Sequence, residues 1–176
     1  MKNLNRSKIK AFLVDDNPIV REGVRTCLTE HGSFSVVGEA ADNTETLRKV
    51  KKLVPDVILI DINLPSIDGG ELARKLRQAV PGAKIIAFSI HDTPEYVVRM
   101  AHCGAHGCVI KNSPSAKLTE AIRHVHGGGL YFPTDMADAI LAPATVSSET
   151  SDVSALTTRE REVLTKYAIQ QGLTSL

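Results

Sequence analysis

The chain has 176 residues, of which 43% are hydrophobic and 23% are charged, and its formal net charge is +1 at pH 7. These values are typical of a soluble globular protein and argue against a strongly basic, nucleic-acid-binding surface over the whole chain. No run of residues is apolar and long enough to span a bilayer, and the N-terminus lacks the apolar stretch of a secretion signal. We therefore expect a cytoplasmic protein with no membrane contact, whose three cysteines stay reduced.

Strands and helices alternate along the predicted chain. Short apolar runs bounded by turn residues predict five strands, at residues 9–14, 35–40, 57–61, 84–88 and 107–110. Apolar side chains at helical spacing predict a helix after each strand. Asn17-Pro18, Thr93-Pro94 and Ser113-Pro114 have the polar cap and following proline that are typical of helix starts. Because helices join successive strands, we expect a doubly wound parallel sheet.

Polar side chains stand where four of the five predicted strands end. Asp15 and Asp16 follow the first strand, Asp61 ends the third, Ser89 follows the fourth and Lys111 follows the fifth. The carboxyl ends of parallel strands share one edge of the sheet, and ligands bind outside that edge in open α/β sheets. We therefore expect these side chains to converge on one site.

The residue types in this set predict phosphoryl chemistry with a metal ion. Three carboxylates in one pocket repel each other unless a cation compensates them, and a purely oxygen ligand set favours Mg²⁺. Lys111 adds a positive charge and Ser89 a hydroxyl donor for a phosphoryl oxygen. Asp61 is then the candidate nucleophile.

These motifs closely resemble the receiver domain of two-component response regulators, over roughly residues 8–128. The resemblance implies a flavodoxin-like fold with the strand order 2-1-3-4-5. It rests on five elements that match in chain order: Val14-Asp15-Asp16-Asn17-Pro18, Asp61-Ile62-Asn63-Leu64-Pro65, Asp68-Gly69, Ser89, and Gly104 to Lys111.

The resemblance implies a role for each residue of the set. Asp61 would accept a phosphoryl group from the phosphohistidine of a sensor histidine kinase. Asp16 and Asp61 would ligate Mg²⁺ together with the backbone carbonyl of Asn63, and Asp15 would act through a water molecule. Such a protein supports its own phosphotransfer and dephosphorylation without being a conventional enzyme.

The remaining roles concern the response to phosphorylation. Ser89 and Lys111 would grip the phosphoryl group and shift the loop after the fourth strand. Cys108 stands where receivers usually carry Tyr or Phe, whose ring reports phosphorylation by swinging toward or away from the sheet. A cysteine has no ring to move in this way, so Cys108 is an atypical switch position. Phosphorylation would favour one of two states, and a homodimer is the expected readout.

The composition changes after the fifth helix. We predict a linker over residues 129–154, with a short helix at 135–141, and a further helix within 155–176. Thr157 and Glu160 form a capping box before an apolar run. This last segment resembles the first helix of the LuxR-type helix-turn-helix of NarL/FixJ-type regulators. Because bases are read by a second, recognition helix, we expect DNA binding only where the full helix-turn-helix is present.

The sequence leaves two other function classes to consider. A receiver that acts without DNA, as a phosphate sink or a protein-binding module, is the alternative to a transcription regulator. An aspartyl-phosphate enzyme of the haloacid-dehalogenase kind needs a second aspartate two residues after the nucleophile, and Asn63 stands there instead. A zinc site is a further alternative, because soft ligands lie close together in the sequence at His102, Cys103, His106 and Cys108.

Overall fold

The structure is a computed structural model that describes residues 7–65, 67–90, 93–136 and 139–140. Five parallel strands form one sheet in the spatial order β2-β1-β3-β4-β5. The strands are β1 (Ile9–Val14), β2 (Phe34–Ala40), β3 (Val57–Asp61), β4 (Lys84–Ser89) and β5 (Gly107–Ile110). The predicted fold class and the strand order 2-1-3-4-5 are therefore confirmed.

Five helices connect the strands and cover both faces of the sheet. They are α1 (Pro18–Glu30), α2 (Asn43–Leu53), α3 (Gly69–Ala79), α4 (Pro94–His102) and α5 (Ser115–His126). Helices α1 and α5 share a buried cluster with one face of the sheet, and α2, α3 and α4 share a second cluster with the other face. In the described part of the chain, no helix has the length and apolar character needed to cross a membrane.

Strand β3 lies in the middle of the sheet and is buried from end to end. Ile58 and Ile60 pack toward α3, whereas Val57 and Leu59 pack toward α1 and α5. This alternation follows from the two-residue period of a strand, and a strand with apolar side chains on both faces belongs between two layers of helices. The central position fixes Asp61, the last residue of β3, at the middle of the carboxyl edge.

The three predicted proline-marked helix starts differ in how they are capped. Asn17 caps α1, and its side-chain oxygen accepts a hydrogen bond from the backbone N–H of Ile19. Thr93 occupies the cap position of α4, but its side chain makes no capping hydrogen bond. The prediction that Ser113-Pro114 caps α5 is wrong in register, because Pro114 itself is the cap residue and the helix begins at Ser115. Proline has extended backbone angles there, and its side chain offers no acceptor.

The segment after α5 packs against the core. Leu130, Phe132 and Ile140 are buried in the same cluster as the inner side chains of α3 and α4. Tyr131 pairs with Gly107 at the outer edge of β5, where a Cβ atom on Gly107 would approach the Tyr131 carbonyl oxygen to 2.9 Å. Glycine therefore permits the close approach of the two backbones.

The structure describes little of the predicted linker and none of the predicted C-terminal helix. Of the predicted short helix at 135–141, it describes a 3-10 turn at Thr134–Met136 and residues 139–140, and the remainder lies outside the described residues. Residues 141–176, including the predicted LuxR-type segment, also lie outside them. The domain limits at 128 and 154 stay predictions.

Candidate functional site: an acidic pocket at the carboxyl edge

The structure brings together the carboxylates that the sequence places at separate strand ends. Asp15, Asp16 and Asp61 each direct an oxygen into a cluster in which these atoms lie within 4.8 Å of one another. Asp15 and Asp61 are buried, with residue exposures of 3% and 4%, whereas Asp16 is exposed. Two desolvated carboxylates and one solvated carboxylate thus share a pocket that opens at the edge of the sheet.

Lys111 bridges the two buried carboxylates. Its ammonium donates to Oδ2 of Asp15 at 2.7 Å and to Oδ2 of Asp61 at 2.8 Å. The ammonium also lies 5.8 Å from the centre of the Phe88 ring, within the range of a cation–π contact. The side chain of Lys111 is 13% exposed. A single cation therefore compensates two carboxylates that would otherwise repel each other across the pocket.

This arrangement keeps Lys111 charged. Burial alone would lower the pKa of its ammonium, but the hydrogen bonds and charges of Asp15 and Asp61 outweigh burial and raise that pKa above its ordinary value. The Lys111 ammonium consequently keeps its positive charge at neutral pH. Such a charge suits a ligand that brings several negatively charged oxygens.

Backbone amides orient the two buried carboxylates. The N–H of Asn17 donates to Oδ1 of Asp15 at 2.9 Å, and the N–H of Asn63 donates to Oδ1 of Asp61 at 2.9 Å. In both cases the donor lies two residues after the aspartate, which is the geometry of an Asx turn. Each carboxylate thus has one oxygen on a backbone amide and the other on Lys111.

Ser89 lies at the end of β4 and is fully buried. Its carbonyl oxygen accepts a hydrogen bond from the N–H of Lys111 at 2.7 Å, which joins the ends of β4 and β5. Asn63 is exposed in the loop after β3. The structure therefore places Ser89 at the end of β4 and Asn63 in the loop after β3, and their roles toward a ligand stay predictions.

Cys108 lies three residues before Lys111 on β5, and it is buried on the face of the sheet that packs against α3 and α4. Burial raises the pKa of its thiol to about 12, so the side chain is a neutral, apolar group. Its N–H donates to the Tyr131 carbonyl at 2.8 Å. A cleft of about 220 Å³ opens beside it, and Tyr131 and Phe132 also line this cleft. An aromatic pair from the C-terminal segment therefore lies next to the small residue.

The zinc alternative is wrong, since the residues described by the structure contain no such cluster and the acidic triad is the one group of possible metal ligands found among them. Each histidine has another partner. Nε2 of His102 lies 2.9 Å from the Ile140 carbonyl, and His106 contacts the Ile85 N–H through Nδ1 and Arg77 through Nε2. Cys103 packs beside Gly70 in the core.

The structure adds two residues that the sequence reasoning did not assign to the site. Phe88 lies beneath the Lys111 ammonium. Nη1 of Arg21 donates to the backbone carbonyl of Asp15 at 2.5 Å, so an α1 side chain holds the turn that bears the carboxylates. The signal for Arg21 is its spacing: it stands one helical turn after the Asn17 cap, from which a helical side chain points back toward the N-terminus.

Comparison with known proteins agrees with this geometry. The family described as the response regulator receiver domain matches residues 11–123. The regulatory protein YxjL of Bacillus subtilis is 34% identical over 94% of this chain and 78% of its own length. The probable transcriptional regulatory protein NarL of Mycobacterium tuberculosis is 30% identical over all of this chain and 81% of its own length. DegU of Brevibacillus brevis is 38% identical over 74% of this chain, and the chain spans only about half of that relative's length, 56%.

Solved structures show the same relationship. A LuxR-family two-component response regulator from Aurantimonas superposes with a TM-score of 0.70 at 36% identity, over 76% of this chain and 96% of that one. The receiver domain of the putative regulator NarL from M. tuberculosis superposes with a TM-score of 0.66 at 34% identity, over 69% and 98%. With its fold, its family match and these relatives, the chain belongs to the response regulators and carries a receiver domain of the NarL/LuxR type.

Proposed function

We propose that this chain is the phosphoacceptor of a two-component phosphorelay, in which Asp61 takes a phosphoryl group from the phosphohistidine of a sensor kinase. The observation that carries the proposal is the bridge that the Lys111 ammonium forms by donating hydrogen bonds to both Asp61 and Asp15. It joins a buried carboxylate at the centre of the sheet edge to a fixed positive charge. These are the nucleophile and the charge-stabilising group that phosphoryl transfer needs.

The three carboxylates fit a magnesium ion. Mg²⁺ prefers oxygen ligands and usually binds through one or two carboxylates together with phosphate oxygens and waters. Asp15, Asp16 and Asp61 provide such a set, and the Asn63 carbonyl stays a predicted fourth ligand. A bound Mg²⁺ supplies compensation for the negative charge that develops on the transferring group.

The residues of the chain then divide the work. In the transfer, a carboxylate oxygen of Asp61 forms a bond to phosphorus while the phosphorus–nitrogen bond of the donor breaks, and the bonding electron pair leaves with the histidine nitrogen. The Lys111 ammonium donates a hydrogen bond to Oδ2 of Asp61 and lies where it can donate one to a phosphoryl oxygen. Ser89 would offer its hydroxyl from the neighbouring strand end. The Asn63 N–H donates to Oδ1 of Asp61 and holds that oxygen in place.

Phosphorylation would act by shifting the population between two states, with a homodimer as the expected readout. Strand β5 connects the pocket to the C-terminal segment. Directly after β5, the N–H of Lys111 donates to the Ser89 carbonyl, and near the start of β5 the N–H of Cys108 donates to the Tyr131 carbonyl. Transcription regulation is supported by the names of the relatives, and a LuxR-type helix-turn-helix by the LuxR-family name of the Aurantimonas protein. A receiver that acts without DNA binding remains the alternative function.

The proposal is tested by the intact mass of the protein after incubation with a small-molecule phosphodonor, with and without Mg²⁺. We expect a gain of one phosphoryl group that requires the metal and is absent in Asp61→Asn. A matched control is Asp68→Asn, because Asp68 caps α3 nearby and asparagine caps helices equally well. Equal phosphorylation of Asp61→Asn and the wild type would refute the assignment, provided that circular dichroism shows both proteins to be folded.

A further inference from the structure

Besides the hydrogen bond from Lys111 to the Asp15 carboxylate, three hydrogen bonds hold the turn that bears Asp15 and Asp16. The N–H of Asp15 donates to the Ala40 carbonyl at 3.2 Å, which ties the turn to β2. The Asn17 N–H donates to the Asp15 carboxylate. The third point is the shortest of the three, the 2.5 Å bond from Nη1 of Arg21 to the Asp15 carbonyl oxygen.

This third bond controls the placement of Asp16 more directly than the others. The carbonyl of Asp15 and the N–H of Asp16 belong to one planar peptide group, so a donor that fixes the carbonyl also fixes where the Asp16 backbone begins. Within the described part of the chain, the Asp16 carboxylate makes no hydrogen bond or ion pair of its own. The orientation of Asp16 in the metal-free protein therefore depends on the backbone of the turn.

Arg21 is itself held in position from the side. Its Nε lies 3.3 Å from Oε2 of Glu39 on β2, and its side chain is 19% exposed. Arg25, one helical turn further along α1, also bonds Glu39, with Nη1 2.7 Å from Oε1. The two arginines thus share one carboxylate partner, but the contact to the Asp15 carbonyl belongs to Arg21.

From this geometry we infer that Arg21 is a positioning residue for the divalent-cation site, which presents Asp16 by clamping the Asp15 carbonyl. The inference rests on the proposed function in that it takes the acidic cluster to bind Mg²⁺. Residues that orient metal ligands without touching the metal commonly change affinity by about 10- to 100-fold. Arg21 acts through the backbone of one exposed ligand, so the lower end of this range is expected.

The experiment is a magnesium titration of the metal-free full chain, followed by amide NMR shifts, for the wild type, Arg21→Gln and Arg25→Gln. Arg25→Gln is the matched control, because it loses a contact to the same Glu39 without touching the Asp15 carbonyl. We expect the dissociation constant for Mg²⁺ to rise about tenfold in Arg21→Gln and to stay within about twofold of the wild type in Arg25→Gln. Urea unfolding without metal measures any general loss of stability in parallel.

Each outcome has a distinct meaning. Equal weakening in both variants, or wild-type affinity in Arg21→Gln, would overturn the role of Arg21 while leaving the proposed function intact. Failure of the wild-type protein to bind Mg²⁺ at all would instead refute the metal site of the proposed function. If Arg21→Gln does not fold, Arg21→Lys replaces it. Lysine keeps the charge but lacks the fork that reaches both Glu39 and Asp15, so wild-type Mg²⁺ affinity in Arg21→Lys would overturn the inference.

Discussion

Removal of the Asp16 charge is expected to stabilise the metal-free protein. The oxygens of Asp15, Asp16 and Asp61 lie within 4.8 Å of one another, and Lys111 bridges Asp15 and Asp61 but not Asp16. Asp16→Asn therefore removes repulsion from two neighbouring carboxylates without breaking an ion pair of the described structure. The same substitution removes a proposed magnesium ligand, so stability and metal binding should change in opposite directions.

The size of the effect follows from the geometry. Asp16 is exposed, so a water-like dielectric applies, and two unit charges at such a separation repel by about 1 kcal/mol. Two repulsions, partly offset by attraction to Lys111, give a net stabilisation of about 1 kcal/mol in low salt. For a domain of this size that gain corresponds to a rise of about 4 °C in the melting temperature. Because the charges are accessible to ions, most of the gain should vanish at about 1 M salt.

The assay is urea unfolding followed by circular dichroism, since the chain has no tryptophan. It compares the wild type with Asp16→Asn in EDTA at low salt, in EDTA at high salt, and with Mg²⁺. We expect the variant to be more stable in the first condition, nearly equal in the second, and less responsive than the wild type to Mg²⁺. The repulsion is refuted if the variant is no more stable than the wild type in EDTA at low salt, or if its gain in stability is the same at low and high salt.

Three further predictions concern other parts of the domain. Val54 ends α2 with a φ of 45° and is 57% exposed, so Val54→Gly should raise the free energy of unfolding by up to about 1 kcal/mol in urea denaturation, and a loss would contradict this. Ile19 is 80% exposed and stands three residues after Asp16, so it offers an apolar contact for a sensor kinase. Ile19→Asp should therefore slow phosphoryl transfer from a cognate sensor kinase but leave uptake from a small phosphodonor unchanged, and equal effects on both would contradict such a contact. The thiol of Cys108 has a pKa of about 12 in the folded protein and of about 9 in the unfolded chain. Between these pH values the unfolded state binds fewer protons than the folded state, so the free energy of unfolding falls as pH rises. Relative to Cys108→Ala, the wild type should lose about 1.4 kcal/mol between pH 8 and pH 10, and parallel pH profiles of the two proteins would exclude a buried thiol.

The five-stranded parallel sheet could be predicted because local and long-range signals agree, whereas its strand order was implied only by the resemblance to receiver domains. The run from Val57 to Ile60 is apolar on both faces, which fits one environment, the middle of a covered parallel sheet. The start of α5 differs from the prediction because the sequence pattern of Ser113-Pro114 resembles a cap and a first helical residue, and the choice between Ser113 and Pro114 depends on how the β5 end meets the helix.

The convergence of Asp15, Asp16, Asp61 and Lys111 could also be predicted, because strand polarity alone brings their backbones to one edge. The exact partners could not. Lys111 has a flexible side chain within reach of three carboxylates, and the sequence does not show that it donates hydrogen bonds to Asp15 and Asp61. The contact of Arg21 with the Asp15 carbonyl depends on a side chain reaching back along α1.

The C-terminal segment shows a different limit of sequence reasoning. Gly127, Gly128 and Gly129 suggest that the domain has ended, yet Leu130, Phe132 and Ile140 are buried in its core. Leu130 and Phe132 have the two-residue spacing of a strand face, but two residues are too few to predict a strand, and Ile140 stands eight residues further on. Their burial follows from the unpaired edge of β5, which Tyr131 covers through backbone hydrogen bonds.

The central claim is that Asp61 is the phosphoacceptor, and reductive trapping tests it most directly. Borohydride converts an aspartyl phosphate to homoserine, so peptide mass spectrometry of the phosphorylated and reduced protein identifies the modified position. We expect homoserine at position 61, dependent on both phosphodonor and Mg²⁺. Homoserine at position 15 or 16, or at no aspartate in protein that has gained a phosphoryl group, would contradict the assignment.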